Sequence, residues 1–291
     1  MNEKTGIKIP TEVASPPEEM RPRAAGPARM IIFGNEKGGS GKSTLAMHVI
    51  VGLLRKGHRV GSIDVDSRQA TLTRYLENRA TIAETKGFNL PLPEHRLVVR
   101  SEKNPDEDAE RFNQAVDALS RTCDAVVVDT PGSDAPLSRL AHSYADTLVT
   151  PMNDSFVDLD LLAKVDPETF KVICPSAYAE MVWEQRKTRM ARDRGSIDWI
   201  VVRNRLATLD TRNKRNMEKV LASLAKRIGF RTAPGFGDRV IFREMFLSGL
   251  TLLDLRDTGT KLTMSHIAAR QEVRDLLSAV ITGPAPVAAP A

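Results

Sequence analysis

The chain has 291 residues, 41% of them apolar, and a formal net charge of +5. That is enough apolar material for one large core, and no run of about 18 apolar residues is present to cross a membrane as a helix. Its two cysteines, Cys123 and Cys174, lie far apart behind no secretory leader, which excludes a disulfide framework and predicts free, packed thiols in a reducing cytosol.

Residues 1–28 carry Pro10, Pro16, Pro17, Pro22 and Pro27 with no apolar period, and they read as a disordered tail. Residues 29–282 read as a single domain in which short apolar runs alternate with helical patterns. MIIFGN (30–35) precedes a helix from Ser43 to Arg55, and RVGSIDVD (59–66) is the second strand. Ala80 to Pro105 is polar and proline-bearing and reads as a long surface excursion. At its end LVVR (97–100) is a strand, followed by a helix from Asp106 to Arg121. DAVVVDT (124–130) is a strand and Ala135 to Ser143 a helix. DTLVTPM (146–152) follows as a strand, then a helix from Ala177 to Arg192, IDWIVVRN (197–204) as strand and Thr211 to Ile228 as helix. Ser265 to Ile281 closes the domain as a helix with Ile267, Val273, Leu276, Leu277 and Val280 on its apolar face. Residues 283–291, GPAPVAAPA, form a second tail too poor in bulky apolar residues to anchor on a bilayer. The rhythm predicts an α/β fold: a doubly wound, mostly parallel sheet with helices on both faces.

The chemistry concentrates at the front of that sheet. In NEKGGSGKST (35–44) a strand runs into Gly38, Gly39, Ser40 and Gly41, and Lys42-Ser43-Thr44 opens a helix. Glycines let backbone N–H groups turn toward phosphate oxygens, and the helix N-terminus adds positive dipole. Lys42 is placed to neutralise β- and γ-phosphates and Ser43 to ligate magnesium. Asp64 and Asp66 close the second strand, and Asp129 ends AVVVD, all at carboxyl ends of strands, which face the ligand crevice in such sheets. Asp129 there can hold a magnesium water shell, and Gly132 lets the following loop sense the γ-phosphate. Trp183 and Trp199 read as core or interface anchors. His48 and His58 lack a spaced partner and read as packing or surface residues.

Charge is uneven: Trp183 to Arg243 holds sixteen Lys/Arg against six Asp/Glu, so this segment is +10 and the remainder −5. Such asymmetry points to an acidic partner surface.

Glu36 stands where the general phosphate-loop pattern has glycine. What remains, Lys37-Gly-Gly-x-Gly-Lys42-Ser-Thr, resembles the deviant Walker A motif of the ParA/MinD family of P-loop ATPases. The resemblance implies a slow, Mg2+-dependent ATPase in which Asp66 positions the attacking water and Asp64 stands nearer the metal's outer shell. It also implies that Lys37 reaches across a face-to-face dimer to the partner's nucleotide, so ATP joins two subunits and hydrolysis parts them. Asn204 matches the family's adenine-side asparagine.

Within that family NEKGGSGKST, TPMNDSFVDLDLL (150–162), VWEQRK (182–187), RNRLAT (203–208) and LTLLDL (250–255) are similar to the MipZ division-site ATPases over roughly residues 29 to 281. This likeness implies an ATP-bound homodimer that inhibits FtsZ polymerisation and binds double-stranded DNA nonspecifically, and a monomer that binds ParB. The expected location is cytoplasmic, nucleoid-associated and polar, with no membrane anchor. Arg186, Lys187, Arg205, Arg212, Lys214, Arg215 and Lys219 are the candidate phosphate contacts. Arg212, Arg215 and Lys219 fall at i, i+3 and i+7, on one helix face. A ParA-type DNA-segregation ATPase remains the alternative. A nitrogenase-type reductase is disfavoured because Cys123 precedes its strand, away from the crevice.

Overall fold

The computed structural model describes residues 26–283 except 102–103, 167, 170 and 208–211, and it describes no side chains at 212–214. Both expected tails therefore lie largely outside the described residues, as do the side chains of Arg212 and Lys214.

Alternation sets the layers. In β1 (Arg29–Phe33) Met30 and Ile32 enter one core while Ile31 and Phe33 enter the other; in β4 (Ala125–Asp129) Val126 and Val128 oppose Ala125 and Val127 in the same way. Strands buried on both faces carry such continuous apolar runs. The remaining strands of the main sheet are β2 (Val60–Asp64), β3 (Glu94–Leu97), β5 (Thr147–Asn153), β8 (Asp198–Asn204) and β9 (Arg231–Ala233). Seven strands pair in the order β3-β2-β4-β1-β5-β8-β9, every pair parallel. Helices α3 (Pro105–Thr122), α4 (Pro136–Ser143), α6 (Ala177–Asp193) and α7 (Arg212–Ile228) cover one face. The other face carries α1 (Lys42–Leu54), α2 (Thr71–Lys86), α8 (Ile241–Ser248) and α9 (Met264–Ile281). A one-turn helix α5 (Phe156–Leu159) follows β5, and β6 (Ala163–Val165) pairs antiparallel with β7 (Val172–Pro175). Among the described residues no helix is long and apolar enough to cross a membrane.

The α/β sheet is as expected, with several corrections. The supposed excursion from Ala80 to Pro105 holds the end of α2 and all of β3, and the edge strand is Glu94–Leu97 rather than 97–100. Its sequence, EHRL, lies on the sheet edge with one strand neighbour and shows no apolar alternation. Ile267 is exposed rather than on the apolar face; of the two tryptophans, Trp199 is a core anchor and Trp183, being exposed, is not. Cys123 is buried, but Cys174 is an exposed thiol on β7. The LTLLDL segment is pinned by Asp254, wholly buried, which accepts from Arg79 at 2.7 and 3.0 Å and from Arg55 at 2.6 Å.

Candidate functional site

The strand order reverses at β1: the chain leaves it toward β2 on one side and later returns to β5 on the other. The crevice outside its carboxyl end is therefore the topological switch point, where open α/β sheets bind ligands. The loop from Gly34 to Gly41 sits there. Asn35 fastens it: its side-chain amide donates to Pro151 O at the end of β5, and its Oδ1 accepts from Lys37 N at 2.7 Å. Gly41 caps α1 with φ 98°, and a Cβ there would overlap the Asn204 amide. Lys42, 7% exposed, donates to Lys37 O at 3.0 Å and so lies folded under the loop.

Register brings the carboxylates together. Asp129 is level with Phe33 on one side and Asp64 on the other. Asp64 Oδ2 accepts from Thr73 N and Oγ1 at 3.0 and 2.9 Å, and its Oδ1 from Asp66 N at 3.0 Å. Its oxygens thus shape the β2–α2 turn, a role invisible in sequence because Thr73 lies nine residues on. Asp129 differs: Oδ1 is buried without a partner, while the carboxylate takes a hydrogen bond from Ser43. Burial, reinforced by Asp64, pushes the Asp129 carboxyl up to about 8. Burial lowers the Lys42 ammonium, opposed by the nearby charges of Asp129 and Asp66. A buried carboxylate oxygen without a donor, beside a hydroxyl and two further carboxylates, fits a hard divalent cation with oxygen ligands.

The loop after β4 reaches the phosphate loop directly. Thr130 Oγ1 donates to Phe33 O at 2.8 Å, and a Cβ on Gly132 would lie 2.8 Å from Gly38 N. Only glycine allows that approach. Asp66 is half-buried, with Oδ1 accepting from Gln69 N at 3.3 Å. On the far side Asn204, level with Asn153, donates to Ser40 O at 2.9 Å and borders a pocket lined by Gly41, Thr44, Phe236, Phe242 and Arg205. Lys37 does not join this cluster: its Nζ donates to Val157 O and lies 3.2 Å from Asp158 Oδ1, both in α5. Asp158 was not foreseen, although it sits within the TPMNDSFVDLDLL signature.

These residues have the geometry of a phosphate loop set against the carboxylates of β2 and β4. The family model described as ATPase MipZ matches residues 29–282. The chain belongs to the MipZ ATPase family.

No curated protein matches the chain. Among solved structures, Cyanothece apo McdA is similar at 19% identity and TM-score 0.56, over 85% of this chain and 99% of that one. The Aquifex aeolicus MinD cell division protein gives 17% and 0.55, over 89% and 100%. Cobyrinic acid a,c-diamide synthase from Mycobacterium smegmatis, with bound ATP analogue and magnesium, gives 16% and 0.51, over 88% and 97%. At such identities the likeness speaks for the fold, which this MipZ-family ATPase shares with ParA/MinD proteins.

The basic residues divide. In α7 Met217, Val220, Leu221 and Leu224 are buried, whereas Arg215 and Lys219 are exposed on the opposite face. Lys187 is exposed and paired with Glu184 at 2.7 Å, and Arg205 is exposed beside the Asn204 pocket. Arg186 is occupied elsewhere: it donates to Ile228 O at 3.3 Å, Ile197 O at 3.4 Å and Gly229 O, and its guanidinium lies over the Trp199 ring. It closes the end of α7 and is therefore set aside as a nucleic-acid contact.

Proposed function

We propose that the chain is an ATP-dependent dimerising switch that places the division site by inhibiting FtsZ assembly, with the dimer holding nonspecific DNA and the protein also meeting ParB. The observation that carries the switch is the separation of the two lysines. Lys42 is folded under its own loop, whereas Lys37 reaches α5 and its side chain is 36% exposed. Lys42 supplies the charge for this chain's own phosphates, which leaves Lys37, held on α5 by Asp158 and Val157 O, to serve another's nucleotide once it leaves that pair.

In this reading residues 29–282 act as one ATPase domain. Backbone N–H groups of Gly38 to Thr44 bind the phosphates, and Asn204 faces the adenine. Ser43 and Asp129 would hold Mg2+, with Asp64 and Asp66 behind them. The metal, when bound, neutralises charge building on the β- and γ-phosphates. Asp66 orients the attacking water, and the loop through Gly132 registers the γ-phosphate. Arg205, Arg215, Lys187 and Lys219 face DNA, joined by Arg212 and Lys214. Doubling the phosphate contacts in a dimer steepens the salt dependence, so a weak monomer and a competent dimer need no rearrangement of the basic face.

Cosedimentation with FtsZ tests the proposal: ATP, not ADP, should make the protein shorten the polymers. No ATP-dependent effect would leave the second reading, a ParA-type DNA-segregation ATPase, which the basic face of α7 favours.

A further inference from the structure

Tyr178, in the first turn of α6, is 1% exposed. Its hydroxyl has three polar neighbours, on the phosphate-loop stem, β5 and α4: Gly34 O at 2.9 Å, Thr150 Oγ1 at 3.0 Å and His142 Nε2 at 3.2 Å. Counting protons orders this group. Trp199 Nε1 can only donate, and it lies 2.9 Å from Thr150 Oγ1. Thr150 therefore accepts from Trp199, and with the phenolic proton given to Gly34 O the Thr150 proton goes to the Tyr178 oxygen. His142 Nδ1 lies 2.7 Å from Ser138 O, which can only accept, so the ring proton sits on Nδ1 and Nε2 is a bare acceptor. Burial holds that imidazole neutral, its pKa depressed to about 4.

One phenolic proton thus faces two acceptors. The first is the carbonyl of Gly34, at the stem of the phosphate loop. The second is a ring nitrogen on α4, the helix that follows the Gly132 loop. Satisfying one leaves the other buried and unmade, which is expensive enough for the choice to respond to small movements. Gly34 and His142 also pack together: a Cβ on Gly34 would overlap the His142 ring, so α4 bears directly on the loop's stem.

We propose that Tyr178 is a positioning residue for ATP hydrolysis, its hydroxyl proton changing partner between Gly34 and His142 as α4 moves with the nucleotide. This rests on the reading that the Gly132 loop senses the γ-phosphate. The chain Tyr178–Thr150–Trp199 carries the change into β8. Arg186 lies 5.7 Å from the Trp199 ring centroid and binds Ile228 O at 3.3 Å, so the path ends on the basic helix α7.

The relay has its own reporter. The chain has two tryptophans, and replacing exposed Trp183 by Trp183→Phe leaves Trp199 as the sole tryptophan, read by exciting indole without tyrosine. Emission is read with Mg-ADP and with a nonhydrolysable ATP analogue. The Trp183→Phe protein should show an analogue-specific change, and adding Tyr178→Phe should remove most of it. In Tyr178→Phe, kcat should fall about tenfold with KM within about threefold, the pattern of an interaction used after binding. A retained emission change with unaltered kcat would overturn the relay alone. No analogue-specific change in the Trp183→Phe parent, with normal turnover, would overturn the sensing role of the Gly132 loop and the relay with it. Where Tyr178→Phe fails to fold, Thr150→Ser should turn over like the parent and Thr150→Val should not, and equal rates in that pair would overturn the proposal.

Discussion

Lys37 Nζ lies 3.2 Å from Asp158 Oδ1 of the same chain, so the first lysine of the phosphate loop is tied to the helix after β5. To reach a partner's nucleotide both copies of Lys37 must leave both copies of Asp158. Each pair is partly exposed and worth about 0.5 kcal/mol, hence about 1 kcal/mol per dimer. Asp158→Asn keeps an oxygen for Asn153 N, now 2.9 Å from Oδ2, while removing the charge. Sedimentation with a nonhydrolysable ATP analogue should show dimerisation about fivefold tighter in this variant. Weaker dimerisation would mean that Asp158 belongs to the dimer contact instead of opposing it.

The Asp66 carboxylate accepts one long hydrogen bond, from Gln69 N at 3.3 Å in the β2–α2 turn, so Asp66→Ala should spare the phosphate loop. Single-turnover kinetics should show hydrolysis slowed by about a hundredfold or more, with ATP affinity within about tenfold. Loss of ATP binding would recast Asp66 as a nucleotide or metal ligand.

The basic face predicts a salt signature. Each phosphate neutralised contributes a slope of about 0.9, so losing Arg215 and Lys219 from both subunits should flatten the dimer's slope by up to about 3.6. Arg186→Ala should leave the slope unchanged and lower thermal stability, since it strips the carbonyls of Ile228 and Ile197 of a charged donor. The reverse pattern would move the DNA face onto α6.

His48 is wholly enclosed, bonded to Thr44 O at 2.8 Å and Leu252 N at 3.3 Å, and burial depresses its pKa to about 4. From about pH 6.5 down to 4 the unfolded chain binds a proton there that the folded chain refuses, so stability falls as pH falls. Comparing the parent with His48→Gln cancels the raised carboxyls of Asp129 and Asp64. In chemical denaturation the parent's slope across that window should be steeper by up to one proton, about 1.4 kcal/mol per pH unit. Equal slopes would mean the imidazole is charged in the fold.

Where chemistry was written in contiguous residues, the sequence was readable. NEKGGSGKST, the aspartates closing β2 and β4, and the apolar runs of the central strands placed the loop, the carboxylates and the sheet. Less legible was everything decided by contacts at long range. The inward stripe of α2 is Leu72, Tyr75, Leu76 and Arg79, and the arginine disguises it, because its buried partner Asp254 lies 175 residues away. The edge strand β3 and the short β6 and β9 carry too few apolar residues to declare themselves, and β7, VICP, is apolar but only four residues long. Charge counting could not separate Arg186, bound to carbonyls, from exposed Lys219, since both read as basic residues on helices. Nothing in the sequence singles out Tyr178, and only the fold brings its hydroxyl to the stem of the phosphate loop.

In the proposed switch, nucleotide state sets subunit number through Lys37. Light scattering on the full chain, of 32.1 kDa, measures it most directly. With Mg2+ and a nonhydrolysable ATP analogue the mass should be twice that of one chain, with ADP that of one chain, and Lys37→Ala should stay at one chain in both. The same mass with either nucleotide, or a Lys37→Ala protein that still doubles with the analogue, would contradict it.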